Sequence, residues 1–455
     1  MKQSENKLGE MPLGRLLVVM SVPMMISMLV QALYNMVDSI FVAMISEDAL
    51  TAVSLAFPMQ NAMTALGVGT GVGVNAFVSR SLGSGDRDGA ERAANIQMFL
   101  SGCYVLVFIV IGAFFSRIFY VTQTDNPIII EYGVRYMSIV CIFGFGCFYG
   151  QNLEKLLIAT GSSTLSMISQ AAGAVVNIIF DPLLIFGVGP FPSLGVSGAA
   201  IATVFGQLVS AVIAYVFCRR YNRATRFCLK KMLPQSRIVL AIYAVGVPSM
   251  ITVGLASVMS YCMNQILLTF STTATAVYGI WLKMQNFAFM PVYGMNNGTI
   301  AIYSYNLGAR QYDRVRGTFR FSCMLGIAIT VAAAALYELL PCEMLRLFSA
   351  SDYMYSIGVR AIRIFALSLP FGAACIVMSS PCQSLGRARY TMLVNICRQL
   401  VIQVPAAFAL SLSGEVDSVW WAVLIAECAS AVIAFFLSKR VMDGLGETGY
   451  PQKSK

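Results

Sequence analysis

The sequence predicts an all-α integral membrane protein whose twelve transmembrane helices form two parallel six-helix repeats, an N-lobe and a C-lobe, around a central cleft. The composition is 58% hydrophobic and only 11% charged, whereas soluble proteins average about 25% charged residues. Apolar runs of about 20 residues or more, the length needed to cross a bilayer, recur along the whole chain. The second half of the sequence also repeats the first, which sets the helices in two related groups.

Twelve apolar runs are long enough to cross the membrane, and we number them span 1 to span 12 in chain order. We expect each end to be uncertain by about 2–4 residues. The first run is too long for the core of a cleavable signal peptide, so we expect it to be a membrane span. The spans are 13–43, 50–79, 93–120, 128–158, 162–186, 196–220, 236–270, 274–304, 317–346, 354–383, 389–412 and 417–440.

The internal repeat has an offset of 225 residues, which aligns Pro23 with Pro248 and Gly69 with Gly294. Six spans fall in each repeat. An even number of spans gives both halves the same orientation, so an axis along the membrane normal relates them. Such a repeat in an apolar chain is typical of a transporter with a substrate path between its halves. We predict an N-terminal lobe at 1–218, a basic cytoplasmic loop at 219–237 and a C-terminal lobe with a short tail at 238–455.

The net charge of +10 is distributed according to the positive-inside rule. With the amino terminus in the cytoplasm, the termini, the loops between even and odd spans and the helix ends next to them hold 24 of the 31 Lys and Arg residues, whereas the opposite loops and their helix ends hold only Arg117 and Arg346. We therefore expect a multi-pass protein of the bacterial plasma membrane with both termini in the cytoplasm. The positive charge then faces lipid head groups and not a nucleic acid.

Several functional classes are disfavoured by the residue types present. The 12 Cys are scattered singly and the chain has no His, so we expect neither a zinc site nor a Cys/His nucleophile. The Gly-rich stretches lie inside spans and no Walker lysine motif follows them, which disfavours nucleotide binding. We expect a protein that is not an enzyme, that needs no cofactor, and that takes its energy from an ion gradient.

Polar residues inside the spans are the candidate functional residues, because a charge in a bilayer costs a few kcal/mol and needs a partner or a role. Span 5 carries Asn177 and Asp181 four residues apart on one helix face. Span 1 carries Asp38. Both acids lie toward the outer halves of their spans, so we expect them to meet and to form a site that H+ or Na+ neutralises. Asp38 shares its helix face with residues three, four and seven positions earlier: Asn35, Tyr34 and Gln31.

Structural alternatives exist for both acids. Asp38 could cap a kink or pair with a neighbouring hydroxyl group. Asp181 precedes Pro182 and could belong to a helix end, because the residue before a proline disfavours helical geometry. Pro23 lies about four turns from Asp38 toward the cytoplasm, where it removes a backbone hydrogen bond and provides a bend.

The second half has a different set of polar residues. Lys283 in span 8 needs a partner, and Glu427 in span 12 is a candidate counter-ion; this pair could be structural or could take part in gating. We expect Arg398 in span 11 to reach the cytoplasmic edge by snorkelling. Span 7 has Asn264 where an acid could stand, and neither span 7 nor span 10 contains an acid.

These residues resemble the multidrug and toxic compound extrusion (MATE) transporters, and more specifically their DinF-like and MepA-like bacterial branch. The resemblance covers the whole chain, including the twelve spans, the basic loop and the Gly-rich spans 2 and 8. The spacings from Pro23 to Asp38 and from Asn177 to Asp181 match that branch. The resemblance implies a cation site formed by Asp38, Asn177, Asp181 and Thr203, and a bend of span 1 at Pro23 when the site is protonated.

The resemblance also implies a substrate cavity in the first half, with Glu154 as the main determinant of cation preference. A local pair with Lys155 is the structural alternative for Glu154. The implied activity is secondary active efflux of small amphipathic, mostly cationic compounds in exchange for H+ or Na+ by alternating access, in a protein that we expect to be a monomer. The cavity residues that we expect are Gln31, Tyr34, Asn35, Glu154, Gln170 and Gln207.

Two alternative functions remain open at the sequence level. A lipid-linked oligosaccharide or metabolite flippase of the same wider superfamily would have the same number of spans but would need a more cationic central cavity. A membrane-embedded enzyme would need a reactive cluster, which the sequence does not show. Efflux driven by an imposed gradient would separate the three functions.

Overall fold

The computed structural model describes residues 3–222, 227–228, 231–346 and 352–445, and all regular secondary structure within these ranges is helical. The predicted loop 219–237 and the C-terminal tail lie partly outside the described residues. A short helix, Gln3–Glu10, precedes span 1 and was not predicted.

Each predicted span corresponds to helix in the structure, with ends that differ by a few residues. Span 4 is broken into two helices that meet at an angle of 46°. Spans 3 and 11 each contain a short π-helical turn, at Ile111–Phe115 and Cys397–Ile402. The helices of spans 1 to 12 are Leu13–Ala43, Glu47–Gly83, Arg87–Val121, Pro127–Ile142 with Phe145–Ala159, Ser163–Phe186, Val196–Tyr221, Ser236–Leu268, Thr272–Gly308, Tyr312–Leu339 with Pro341–Arg346, Asp352–Ser384, Ala388–Ser411 and Val416–Asp443.

Among the described residues, ten helices are long and apolar enough to cross a membrane, and the broken pair of span 4 makes eleven. Span 8 is the twelfth. Its helix, Thr272–Gly308, has 37 residues, but it falls short of the same criterion on composition because it carries several amide side chains and Lys283.

The repeat seen in the sequence recurs in the hydrogen bonding of the helices. Ser79 in span 2 donates to the carbonyl oxygen of Ala159 at 3.0 Å. In the second half, Ser304 donates to the carbonyl oxygen of Ser384 at 3.3 Å. Both residues of the second bond lie 225 positions after those of the first, so the two halves pack span 2 against span 4, and span 8 against span 10, in the same register.

By its contacts the chain divides into two compact units, which we call the first and the second unit. The first unit comprises Met1–Leu8 and Ile26–Met250, and the second comprises Gly9–Met25 and Ile251–Lys455. The boundary between the units crosses spans 1 and 7. In each of these spans it falls two residues after a proline, Pro23 or Pro248, that lies inside a continuous helix. The lobe boundaries predicted from the sequence remain a prediction.

Glycine allows close helix packing at equivalent positions of the two units. In the first unit a β-carbon on Gly73 would overlap the carbonyl group of Ile242. In the second unit a β-carbon on Gly298 would lie 2.6 Å from the carbonyl oxygen of Met20. Only a residue without a side chain fits such a contact.

Candidate functional site

The first unit contains a cavity between spans 1, 4, 5 and 6. It is open on one side, and its empty space together with the solvent at that opening is about 640 Å³. Amide, hydroxyl and small apolar side chains dominate its wall. The lining residues are Ser27, Val30, Gln31, Tyr34, Gly146, Cys147, Gly150, Gln151, Glu154, Gln170, Gly173, Ala174, Asn177, Thr203, Gly206, Gln207 and Ser210.

Most of the residues predicted for the substrate cavity line it. Asn35 does not: it is exposed, and its carbonyl oxygen accepts a hydrogen bond from Ser39 at 2.9 Å. The prediction for Asn35 is therefore wrong in this structure, because successive residues of a helix point about 100° apart and its neighbour Tyr34 takes the face toward the cavity. The residues that line the cavity as predicted are Gln31, Tyr34, Glu154, Gln170 and Gln207.

Glu154 is the one charged side chain among the described residues that line the cavity. Its Oε1 accepts a hydrogen bond of 2.8 Å from the hydroxyl group of Ser210 in span 6. The next residue, Lys155, is buried on a different side of the helix, where a β-carbon on Gly71 of span 2 would lie 2.8 Å from its side chain. Glu154 thus presents a carboxylate to the cavity from a fixed position.

Asp38 and Asp181 meet, as the sequence predicts. Their carboxyl groups lie close enough to interact, with Asp181 fully buried and Asp38 half-buried. Asp38 Oδ1 and Asp181 Oδ2 receive no hydrogen bond from any described donor. Two carboxylates in contact repel each other unless they share a proton or a bound cation, so the pair provides a place for one positive charge.

Asn177 connects the carboxyl pair with the cavity. Its amide nitrogen lies 3.4 Å from Asp181 Oδ1, to which it donates, and the same residue lines the cavity. Neither acid of the pair is among the lining residues. Thr203 lines the cavity on span 6, one turn before Gly206, which packs against the side chain of Asn177. Of the four residues predicted for the cation site, Asn177 and Thr203 thus line the cavity, and the acid pair lies behind Asn177.

Pro23 lies inside the continuous helix Leu13–Ala43, so its role as a bend remains a prediction. Ser27, one turn later, donates a hydrogen bond to the side-chain oxygen of Gln170 in span 5. This contact joins span 1 to span 5 at the cavity wall.

The second unit corrects two expectations. Glu427 pairs with Arg398 and not with Lys283: Glu427 Oε1 lies 2.8 Å and 3.0 Å from two guanidinium nitrogens of Arg398, and the two side chains are only 3% and 10% exposed. Arg398 consequently does not snorkel. The π-helical turn at Cys397–Ile402 and the buried acid hold it inside the unit, where its guanidinium group also lies 5.8 Å from the ring centre of Phe289.

The other second-half candidates are separate from this pair. Lys283 is exposed and Asn264 is half-buried. The sequence missed Gln151 and Ser210 as cavity residues. Ser210 could have been found, since it lies seven residues after Thr203 and three after Gln207 on one face of span 6.

The model of the MatE family matches residues 23–183 and 248–409. The two matched segments make up well over half of the chain, and one lies in each repeat. This chain belongs to the MatE family. The predicted resemblance is confirmed, and so is the fold class of twelve helical spans in two repeats. As a MatE protein, the chain is a multi-pass membrane transporter.

Relatives of this MatE protein are similar to it along their whole length. One is the multidrug export protein MepA of Staphylococcus haemolyticus (strain JCSC1435), 25% identical over 92% of this chain and 91% of that protein. Another is an FAD transporter of Shewanella oneidensis, 24% identical over 96% and 97% of the two chains. Among solved structures, the outward-facing conformation of a multidrug resistance MATE family transporter of the MOP superfamily has a TM-score of 0.91, 24% identity, and coverage of 97% and 98%.

Proposed function

We propose that this transporter exports small amphipathic, mostly cationic compounds in exchange for H+ or Na+ by alternating access. The observation that carries the proposal is the arrangement of three acids in the first unit. One, Glu154, faces the cavity, and the other two, Asp38 and Asp181, form a contacting pair behind Asn177. One position suits a cationic guest and the other a small coupling ion.

The coupling-ion site comprises Asp38, Asn177, Asp181 and Thr203. Two carboxyl groups this close can share one proton, which favours H+ as the coupling ion. The same oxygen atoms could also hold Na+, a hard cation that prefers oxygen ligands. We propose H+, Na+ or both as the coupling ion, and no cofactor.

The substrate site is the cavity. It is a concave site with several polar groups that converge on it, as is typical of small-molecule sites. Tyr34 offers an aromatic face for a cation, and Glu154 offers the negative charge. The amide groups of Gln31, Gln170 and Gln207 can each donate and accept hydrogen bonds, so they adapt to varied guests.

Coupling between the two sites passes through Asn177 and span 1 in this proposal. The amide nitrogen of Asn177 donates a hydrogen bond to Asp181 of the acid pair, and Asn177 also lines the cavity. A cation bound between Asp38 and Asp181 changes the charge next to the cavity, and linkage requires the guest to change cation affinity by the same factor. The bend of span 1 at Pro23 would then reduce the cavity and expel the guest.

A metabolite exporter is the second candidate function, because one relative is an FAD transporter. A dinucleotide carries negatively charged phosphates. The described cavity wall has a carboxylate and no Lys or Arg, which disfavours this guest and equally a pyrophosphate-linked oligosaccharide. The multidrug candidate therefore comes first.

Transport by the purified protein in vesicles tests the proposal. Vesicles with an imposed pH gradient, and separately a Na+ gradient, should accumulate a cationic dye against its own gradient. Vesicles that contain an equal amount of the Asp38→Asn variant are the control and should accumulate no dye. Wild-type protein that moves no dye under either gradient would contradict the proposed exchange. We further propose a bacterial plasma membrane location, cytoplasmic termini and a monomer.

A further inference from the structure

Three amide side chains form a buried group in the first unit that the proposed function does not use. They are Asn75 in span 2, Gln97 in span 3 and Asn152 in span 4, and we call them the amide cluster. None of the three is more than 1% exposed. Burying an amide inside an apolar helix bundle is unfavourable unless its polar atoms are hydrogen-bonded.

The hydrogen bonds within the cluster satisfy only part of its polar atoms. Gln97 Nε2 donates to the carbonyl oxygen of Asn152 at 2.8 Å, Asn152 Nδ2 donates to Ser101 Oγ at 2.7 Å, and Ser79 Oγ donates to Asn75 Oδ1 at 3.2 Å. Three atoms have no hydrogen-bond partner in the described protein: Asn75 Nδ2, Gln97 Oε1 and Asn152 Oδ1. Each unpaired buried group of this kind costs about 1–3 kcal/mol.

The repeat shows that the fold does not need amides at these positions. At the offset of 225 residues, Asn75 aligns with Ile300 and Asn152 with Val377. Both apolar side chains are buried in the second unit, at 1% and 2% exposure. Gln97 aligns with Ser322, which is polar and fully buried. The second unit thus makes this packing without an amide at any of the three positions and with apolar side chains at two of them, so packing alone does not require the amides of the first unit.

The unpaired atoms indicate water as the ligand. One is a donor and two are acceptors. A metal cation would need acceptors only and an anion donors only, whereas a water molecule donates and accepts at once. Buried waters in proteins make about three hydrogen bonds to groups of this kind.

The amide cluster packs against span 4, the helix that also carries Glu154. Asn152 is two residues before Glu154 and lies on a different side of the helix from the cavity-lining Gln151 and Glu154. Lys155 borders the cluster, because its side chain and Asn152 Oδ1 both lie next to Gly71. Ser79, bonded to Asn75, donates to the carbonyl oxygen of Ala159, the last residue of the span 4 helix, at the end that the charge pattern places in the cytoplasm.

We propose that the amide cluster binds ordered water and conducts the coupling proton from the cavity to the cytoplasm. The proposal rests on the proposed exchange, with H+ as the ion. A proton that the acid pair releases into the cavity is taken up there by Glu154 once the guest has left. Each water then accepts a proton on one side and releases another on the opposite side, so only O–H bonds form and break. Lys155, whose Cβ and Cγ atoms border the cluster beside Gly71, is the other titratable residue there.

An Asn152→Val variant in proteoliposomes tests the role of the cluster, because it copies Val377 of the second unit. We expect pH-gradient-driven dye transport to slow about tenfold, equivalent to about 1.4 kcal/mol in the barrier. Dye exchange at equal dye concentrations and equal pH, which moves no net protons, should stay at the wild-type rate. The solvent deuterium isotope effect on driven transport should increase, since proton transfer becomes limiting.

An Asn152→Ser variant is the matched control, because its hydroxyl group can still bond water, and it should recover most of the driven rate. Asn75→Leu provides a second test if Asn152→Val does not fold. Driven transport at the wild-type rate in the folded Val variant, or an equal loss of driven transport and exchange, would overturn the proposal. A wild-type protein without any pH-driven transport would instead refute the proposed exchange itself.

Discussion

The two repeats have equivalent helices but differ in the polar side chains that these helices carry. The first unit contains a cavity, a pair of contacting acids and a buried amide cluster. At the positions equivalent to Asp38 and Asp181 the second unit has Met263 and Ala406, and both pack within an apolar core. Its buried charges are instead the ion pair of Arg398 and Glu427, whose members neutralise each other.

This difference shows which residues specify the fold and which specify the chemistry. The shared features are short-range and steric. Ser46 and Ser271 accept equivalent hydrogen bonds of 3.0 Å at the starts of spans 2 and 8, and Gly73 and Gly298 allow equivalent close approaches. Charged and amide side chains differ between the units, so the cavity and the acid pair occur in one repeat while the other has an apolar core at the equivalent positions of the two acids.

The largest expected effect is at Asp38. Asp38→Asn removes one acid of the contacting pair, so the site can no longer alternate between an empty and an occupied state, and gradient-driven efflux should be abolished. Met263→Leu changes the equivalent residue of the second unit and should leave efflux intact. Dye efflux from cells with equal expression of both variants measures this; normal efflux from Asp38→Asn would refute the mechanism.

Mutation of the ion pair in the second unit should have the next largest effect, which we expect on the free energy of unfolding and not on efflux. Arg398→Met leaves Glu427 buried without its partner and should destabilise the protein by about 3–5 kcal/mol. The double variant with Glu427→Leu should regain most of this stability. Thermal unfolding in detergent compares them, with Arg360→Met as the control, since its pair with Asp417 is largely exposed on the Arg side. A double variant as unstable as the single one would contradict this interpretation.

Glu154→Gln should reduce the affinity for cationic guests about tenfold, or about 1.4 kcal/mol, because a neutral amide replaces the charge that faces the cavity. Affinity for an uncharged guest should not change. Equilibrium binding of one cationic and one neutral dye to the purified protein would show the difference. An equal loss for both dyes would mean that Glu154 supports the cavity wall only.

The smallest effect should be the same in both units. Ser46→Ala and Ser271→Ala each remove the one side-chain hydrogen bond at the start of span 2 or span 8, and each should lower the free energy of unfolding by about 1 kcal/mol. Chemical or thermal unfolding of the two variants gives the comparison. Clearly unequal losses would indicate that the two bonds are not structurally equivalent.

The spans could be predicted because apolar length and flanking charge are local properties of the sequence. The contact of Asp38 with Asp181 could be predicted because few residues inside the spans are charged. The partner of Glu427 could not, since Lys283 and Arg398 are both available in the sequence and only packing decides between them. The break in span 4 was missed as well, because Phe143 and Gly144 interrupt a run that remains continuously apolar.

Cation release on guest binding tests the central claim most directly, namely that the acid pair holds the ion that the guest displaces. The Glu154→Gln protein, whose cavity has no acid to release a proton, is saturated with dye in weakly buffered detergent solution, and released H+ and Na+ are measured with an indicator and an electrode. The account predicts cation release from this protein and none when Asp38→Asn is added. Equal release from both proteins would contradict it.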